Sequence, residues 1–176
     1  MEETKKSQLI YDGKIIKVRL DEVKLLNGKY AKREIVEHPG AAAIIALFPT
    51  NEILLVKQYR KALEKTLYEL PAGKLEKGEL PEKSAARELL EETGIKAGKI
   101  IKVLSFYTSP GFCNETIYLF LAEDLQEKSQ QLDEDEFLTI EKVPLTKAHS
   151  MILNGQIEDA KTIIGILWLT NHYGNA

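Results

Sequence analysis

The chain of 176 residues carries a single cysteine, Cys113, so no intrachain disulfide can form and a thiolate zinc site would lack its ligands. A reducing, cytoplasmic location fits that poverty. Excess basic charge is also absent, since 24 Lys and Arg stand against 27 Asp and Glu for a formal net charge of -3. Bulk electrostatics therefore gives no reason to expect nucleic-acid binding. Long apolar runs are lacking too: the longest, Ala41 to Phe48, is far too short to span a bilayer, and Met1 to Gln8 leads into no apolar signal segment. The expectation is a soluble protein with no membrane contact. His38, His149 and His172 stand singly, without the spacing of paired metal ligands, and no G-x-S-x-G elbow is present to anchor a serine hydrolase.

What the chain does have is 44% hydrophobic residues, and a chain of this length buries roughly 70% of its unfolded surface, enough for an ordinary core. Residues 7 to 38 alternate as strands do and carry two tight-turn signals, Asp12-Gly13 and Asn27-Gly28. They predict a three-stranded antiparallel meander. So small a sheet needs something to cover one face, either its own domain or a partner. His38-Pro39-Gly40 punctuates the chain, giving an N-terminal sheet over 1–40 and a main domain over 41–176.

In the main domain, Ala41 to Phe48 and Ile53 to Val56 read as core strands hinged at Pro49 to Asn51. A polar loop follows, then Tyr68 to Gly73, a helix from Pro81 to Thr93 stopped by Gly94, and strands near 99–107, 116–122 and 137–143. Two helices end the chain, one from about Leu145 to Asn154 with Thr146 as cap, the other from about Glu158 to His172. Strands and helices interleave without a regular βαβ rhythm, which predicts an α/β sandwich on a mixed sheet.

Glu88, Glu91 and Glu92 fall at i, i+3 and i+4 of the first helix and so share one face. Like charges at that spacing repel, and two of them sit in the last turn, where the helix dipole disfavours carboxylates. The arrangement calls for a cation. Hard divalent ions take oxygen ligands, and Mg²⁺ binds one or two carboxylates together with waters and substrate phosphate. A solvated acidic face is the competing reading, and the surrounding spacing decides against it. Gly73 is followed after five residues by Glu79, then after seven by Arg87-Glu88-Leu89-Leu90-Glu91-Glu92-Thr93-Gly94-Ile95.

This segment resembles the complete Nudix box, with all nine defined positions present over 23 residues. The resemblance implies an α/β/α sandwich and hydrolysis of a nucleoside diphosphate linked to another moiety. It also implies a loop–helix–loop that holds Mg²⁺, with Mn²⁺ as a substitute. By that resemblance Glu88 and Glu92 are the main metal ligands, Glu91 shares the ions directly or through water, and the Ala72 carbonyl supplies a further oxygen. Glu92 and Arg87 thereby belong to the catalytic set, Arg87 by orienting the carboxylates. The Gly73 to Gly78 stretch also opens like a phosphate-binding P-loop, but Glu79 stands where that loop needs lysine.

Beyond the box, Ser109-Pro110-Gly111-Phe112 puts Pro110 sixteen residues after Gly94, which is similar to the mark of the ADP-ribose pyrophosphatase group. Arg33-Glu34 to Gly40-Ala41, Gln58-Tyr59-Arg60, the acidic run Asp133 to Glu136 and Asp159-Ala-Lys-Thr162 are similar to that group as well. The implied substrate contacts are Arg33 and Arg60, whose guanidinium groups suit phosphate, with Pro110 and Gly111 at the turn, and Glu115 beside it is the reserve candidate for a substrate or metal-linked role. Glu69, close before the box, is a further candidate for placing substrate or metal. Glu134 is the implied water-activating base and Glu136 an additional metal ligand, with a slip of one or two positions possible among four consecutive acids. Tyr11, Tyr30 and Phe112 are the aromatics available to stack on adenine. The resemblance further implies an N-terminal sheet exchanged between subunits, hence a homodimer.

The expected reaction is cleavage of ADP-ribose to AMP and ribose 5-phosphate. The alternatives are another nucleoside diphosphate sugar such as GDP-mannose, and a non-catalytic nucleotide sensor, which the intact box disfavours.

Overall fold

The computed structural model describes residues 1–130 and 137–173. The chain divides into two units, Met1–Gly40 with Phe106–Ile117, and Ala41–Ser105 with Tyr118–Ala176.

In the first unit, β1 (Glu3–Asp12), β2 (Lys17–Lys24) and β3 (Tyr30–Glu37) form an antiparallel meander in that order. The Asn27-Gly28 turn closes as its residue types demand. Gly28 has φ 81°, its N–H donates to the Leu25 carbonyl, and Lys29 N donates to Asn27 Oδ1 at 3.0 Å. The meander begins at Glu3, four residues earlier than the alternation suggests. All ten residues of β1 are exposed. The segment around Phe112 joins this unit through backbone bonds: Val36 N donates to the Phe112 carbonyl at 2.8 Å, and Asn114 N donates to the Val36 carbonyl at 3.1 Å.

The second unit contains β4 (Ala41–Ala46), β5 (Glu52–Arg60), β6 (Lys65–Glu69), β7 (Ala72–Lys74), α1 (Pro81–Thr93), most of β8 (Ile95–Tyr107) and β9 (Thr116–Glu127), β10 (Leu138–Pro144), α2 (Leu145–Leu153) and α3 (Ala160–Tyr173). The strands form two sheets, β7-β4-β9-β8 and β10-β5-β6. Every residue of β4 is buried, as its unbroken apolar run requires. Its alternate side chains face opposite ways. Ala42, Ile44 and Ala46 pack with Ala85 and Leu89 of α1, while Ile45 lies against Gly165 of α3, so β4 is sandwiched between two helices.

Two local expectations are corrected. The stretch after Val56 is a hairpin, with β5 running on to Arg60 and β6 paired back on it from Lys65, instead of a polar loop. Helix α2 starts one residue before Thr146, with Pro144 at the cap position. The Leu145 N–H donates to the Asn51 carbonyl at 3.0 Å, so a distant loop satisfies the first amide of the helix, and no side chain caps it. Among the described residues no helix is long and apolar enough to cross a membrane.

Candidate active site

Helix α1 begins at Pro81, whose missing N–H costs nothing at that position, and ends at Gly94, left-handed at φ 67°, with its N–H on the Leu90 carbonyl at 2.8 Å. The strand before it, the intervening loop and the C-terminal half of this helix assemble the box. Gly73 sits on β7, paired with Ala42, and the Glu88 carboxylate lies over it: a Cβ at residue 73 would meet that carboxylate carbon at 1.8 Å. Only glycine permits this approach.

A single guanidinium joins three carboxylates. Arg87 Nε and Nη2 each donate to Glu79 at 3.0 Å, and Nη1 donates to Glu88 at 2.8 Å and Glu91 at 2.9 Å. The hydrogen bond from Arg87 holds the Glu79 carboxyl below the usual range, while Glu79 foremost raises Arg87. The cation that the acidic face calls for is therefore supplied, for Glu88 and Glu91, partly from within the chain.

Glu92 is buried and accepts the Ala72 N–H at 3.1 Å. The strap before β7 is tied on two further sides, with Leu70 N donating to Thr162 Oγ1 at 2.8 Å and Ile44 N to the Pro71 carbonyl at 2.9 Å. Ala72 is thus fixed beside the end of α1. Among the described residues no group of three or more His, Cys, Asp or Glu side chains is placed to hold a metal ion. Mg²⁺ does not need such a group, because it retains waters and takes only one or two carboxylates. The all-oxygen donors Glu88, Glu91, Glu92 and the Ala72 carbonyl, with the Glu88 carboxylate seated where a Cβ would otherwise stand, fit such an ion.

A second cluster lies in the same unit. Glu69 is 1% exposed and receives Arg60 Nε at 2.6 Å, Arg60 Nη2 at 2.7 Å and the Lys161 ammonium. Burial pushes the Glu69 carboxyl up, but Arg60 and Lys161 together outweigh it and hold the group below the usual carboxylate range. The sequence placed Arg60 and Glu69 in the site separately, and the fold joins them. Lys161 and Asp159 it left without roles; the available signal was an aspartate just before an apolar helical run. Asp159 accepts the Thr162 N–H at 3.0 Å and so caps α3.

Arg33, Pro110 and Gly111 meet in the first unit around a cavity of about 540 Å³, lined also by Tyr107, Phe112 and Asn114. Arg33 is itself paired with Glu2, Nε to Oε2 at 3.0 Å. Of the three aromatic candidates only Phe112 lines this cavity. Glu115 accepts the Thr108 hydroxyl at 2.7 Å. Glu134 and Glu136 lie outside the described residues.

Residues 37–164 match the NUDIX domain family, and residues 2–36 match the nucleoside diphosphate sugar hydrolase N-terminal domain. The chain is 49% identical over 170 residues to the ADP-ribose pyrophosphatase of Bacillus subtilis (strain 168), covering 96% of this chain and 92% of that one. It is 47% identical over 170 residues, with the same coverage, to the methanol dehydrogenase activator of Bacillus methanolicus. A solved structure, described as a crystal structure of ADP compounds hydrolase, matches with a TM-score of 0.87 over 99% of this chain and 95% of that chain. Its sequence identity is 18%, so the likeness is one of fold.

Proposed function

Since this chain belongs to the NUDIX domain family, we propose that it hydrolyses the pyrophosphate of ADP-ribose to AMP and ribose 5-phosphate with a divalent cation, Mg²⁺ or in its place Mn²⁺. The observation that carries the chemistry is the carboxylate assembly of α1, in which Arg87 binds Glu79, Glu88 and Glu91 while Glu92 holds Ala72. The substrate assignment rests on the near whole-chain similarity to an ADP-ribose pyrophosphatase.

The proposed metal ligands are Glu88, Glu91, Glu92 and the Ala72 carbonyl, joined by Glu136. When bound, the cation neutralises charge on the phosphoryl oxygens and lowers the pKa of a coordinated water. The chain's own residues do the rest. Arg87 keeps neighbouring carboxylates in one geometry despite their repulsion, and Glu134 accepts the proton of the attacking water. Arg60 and Arg33 donate hydrogen bonds to the diphosphate, whose spread negative charge suits a planar guanidinium fork. Pro110, Gly111 and Glu115 complete the substrate contacts, and Glu69 acts through Arg60.

A homodimer is part of the proposal, supported by β1, a strand with all ten residues exposed and so in need of cover. So is a cytoplasmic location, in keeping with one unpaired cysteine in the whole chain.

Comparing kcat/KM for ADP-ribose, GDP-mannose and a nucleoside triphosphate tests the substrate assignment. ADP-ribose is expected to rank first. GDP-mannose in first place would transfer the assignment to that sugar nucleotide, and binding without turnover of any of the three would make the protein a sensor.

A further inference from the structure

Arg60 and Lys161 reach Glu69 from different directions, one from the end of β5 and the other from the first turn of α3. One guanidinium already neutralises a buried carboxylate. The second cation is itself held, with Lys161 Nζ 3.1 Å from Asp159 Oδ1 and Asp159 locked by the N–H and the hydroxyl of Thr162 at 3.0 and 2.6 Å. The helix cap, the ammonium and the carboxylate form a continuous strut that ends on Arg60.

What the strut fixes is one edge of a guanidinium. Nε and Nη2 of Arg60 are committed to Glu69, which leaves the Nη1 edge, and among the described residues Nη1 donates no hydrogen bond. The Arg60 side chain is 40% exposed, whereas Glu69 and Lys161 are 2% and 13% exposed. The less exposed members thus serve the open one. An arginine without such a brace would lose rotamer freedom on each binding event, and bracing it in advance removes that cost.

We infer that Lys161 is a positioning residue, which clamps Glu69 from the α3 side and so presents the free edge of Arg60 to an anionic diphosphate. The inference rests on the reading above that Arg60 binds the substrate diphosphate. It assigns Lys161 no contact with the substrate.

The test is calorimetric titration with ADP-ribose in EDTA, where no turnover occurs, followed by steady-state kinetics with Mg²⁺. Lys161→Met is expected to weaken binding and raise KM about tenfold, the scale of freeing one flexible side chain, with kcat within about threefold of wild type. Lys161→Arg restores most of the affinity. In an Arg60→Ala background, Lys161→Met changes affinity less than about twofold, because its effect passes through the missing guanidinium. Equal binding by Lys161→Met and wild type overturns the inference, as does the same loss with and without Arg60, or a fall confined to kcat. Should Lys161→Met fail to fold by circular dichroism, Lys161→Gln takes its place, and failure of both assigns Lys161 to stability and overturns the positioning role. Wild-type protein that binds ADP-ribose in EDTA but leaves it intact with Mg²⁺ sinks the hydrolase reading while the positioning role stands. Wild-type protein that binds neither ADP-ribose nor GDP-mannose overturns both.

Discussion

The Glu88 carboxylate occupies the place where a side chain on Gly73 would begin, 1.8 Å from the position of its Cβ. The obstructing atoms are the far end of a flexible side chain, so Gly73→Ala would fold by turning Glu88 aside. Gly73→Ala is expected to lower kcat on the order of a hundredfold, the usual cost of displacing a site group by about 1 Å, while Tm moves by only a few degrees. Retained activity would mean that the placement of Glu88 over Gly73 has no part in turnover.

Leu80 is the N-cap of α1 at φ -75° and ψ 136°, 62% exposed, and no side chain caps the helix there. An oxygen at that position would satisfy an open N–H. Leu80→Asp is expected to raise stability by about 1 kcal/mol in denaturant unfolding and to leave turnover unchanged. An unchanged midpoint would show that these amides are already well satisfied by water.

Glu69 contributes to the acid limb of stability. Burial raises its carboxyl pKa, but Arg60 and Lys161 lower it further, so the folded value lies below the unfolded one. Stabilisation from this group is therefore complete above the unfolded value of about 4.3 and is lost as pH falls through the folded value. Glu69→Gln is expected to cost about 3 kcal/mol at neutral pH, the low end for a broken buried pair because Arg60 is partly exposed, and to flatten the decline of Tm below about pH 4. Parallel pH profiles for the two proteins would contradict this.

Glu134→Gln is expected to lower kcat about a hundredfold, the lower range for loss of a general base, with Mg²⁺ binding near that of wild type. Undiminished turnover would move the base elsewhere in the 133–136 run.

Helix α1 was readable because its signals are local. Pro81 opens it, Gly94 takes the left-handed turn that closes it, and the glutamate spacing lies within a single element. Asn27-Gly28 marked its turn in the same way. The β5–β6 hairpin was not readable, because its turn places Glu64 in the left-handed region at φ 54°, where no glycine or asparagine announces it, and because its pairing is cross-strand. The Thr146 cap failed because the helix starts one residue earlier, at Leu145, whose N–H is satisfied by the distant Asn51 carbonyl. Lys161 and Glu69 lie 92 residues apart, so their pairing belongs to the fold and not to any motif. Lys161 stood in a stretch similar to a known group and Glu69 close before the box, but the strut between them is visible only in three dimensions.

The most direct test of the central claim is to incubate the purified protein with ADP-ribose in ¹⁸O-labelled water, with and without Mg²⁺, and to resolve the products by mass spectrometry. AMP and ribose 5-phosphate formed only with the metal, one of them carrying the label, is the predicted result. Intact ADP-ribose, or the same products at the same rate without metal, would contradict it.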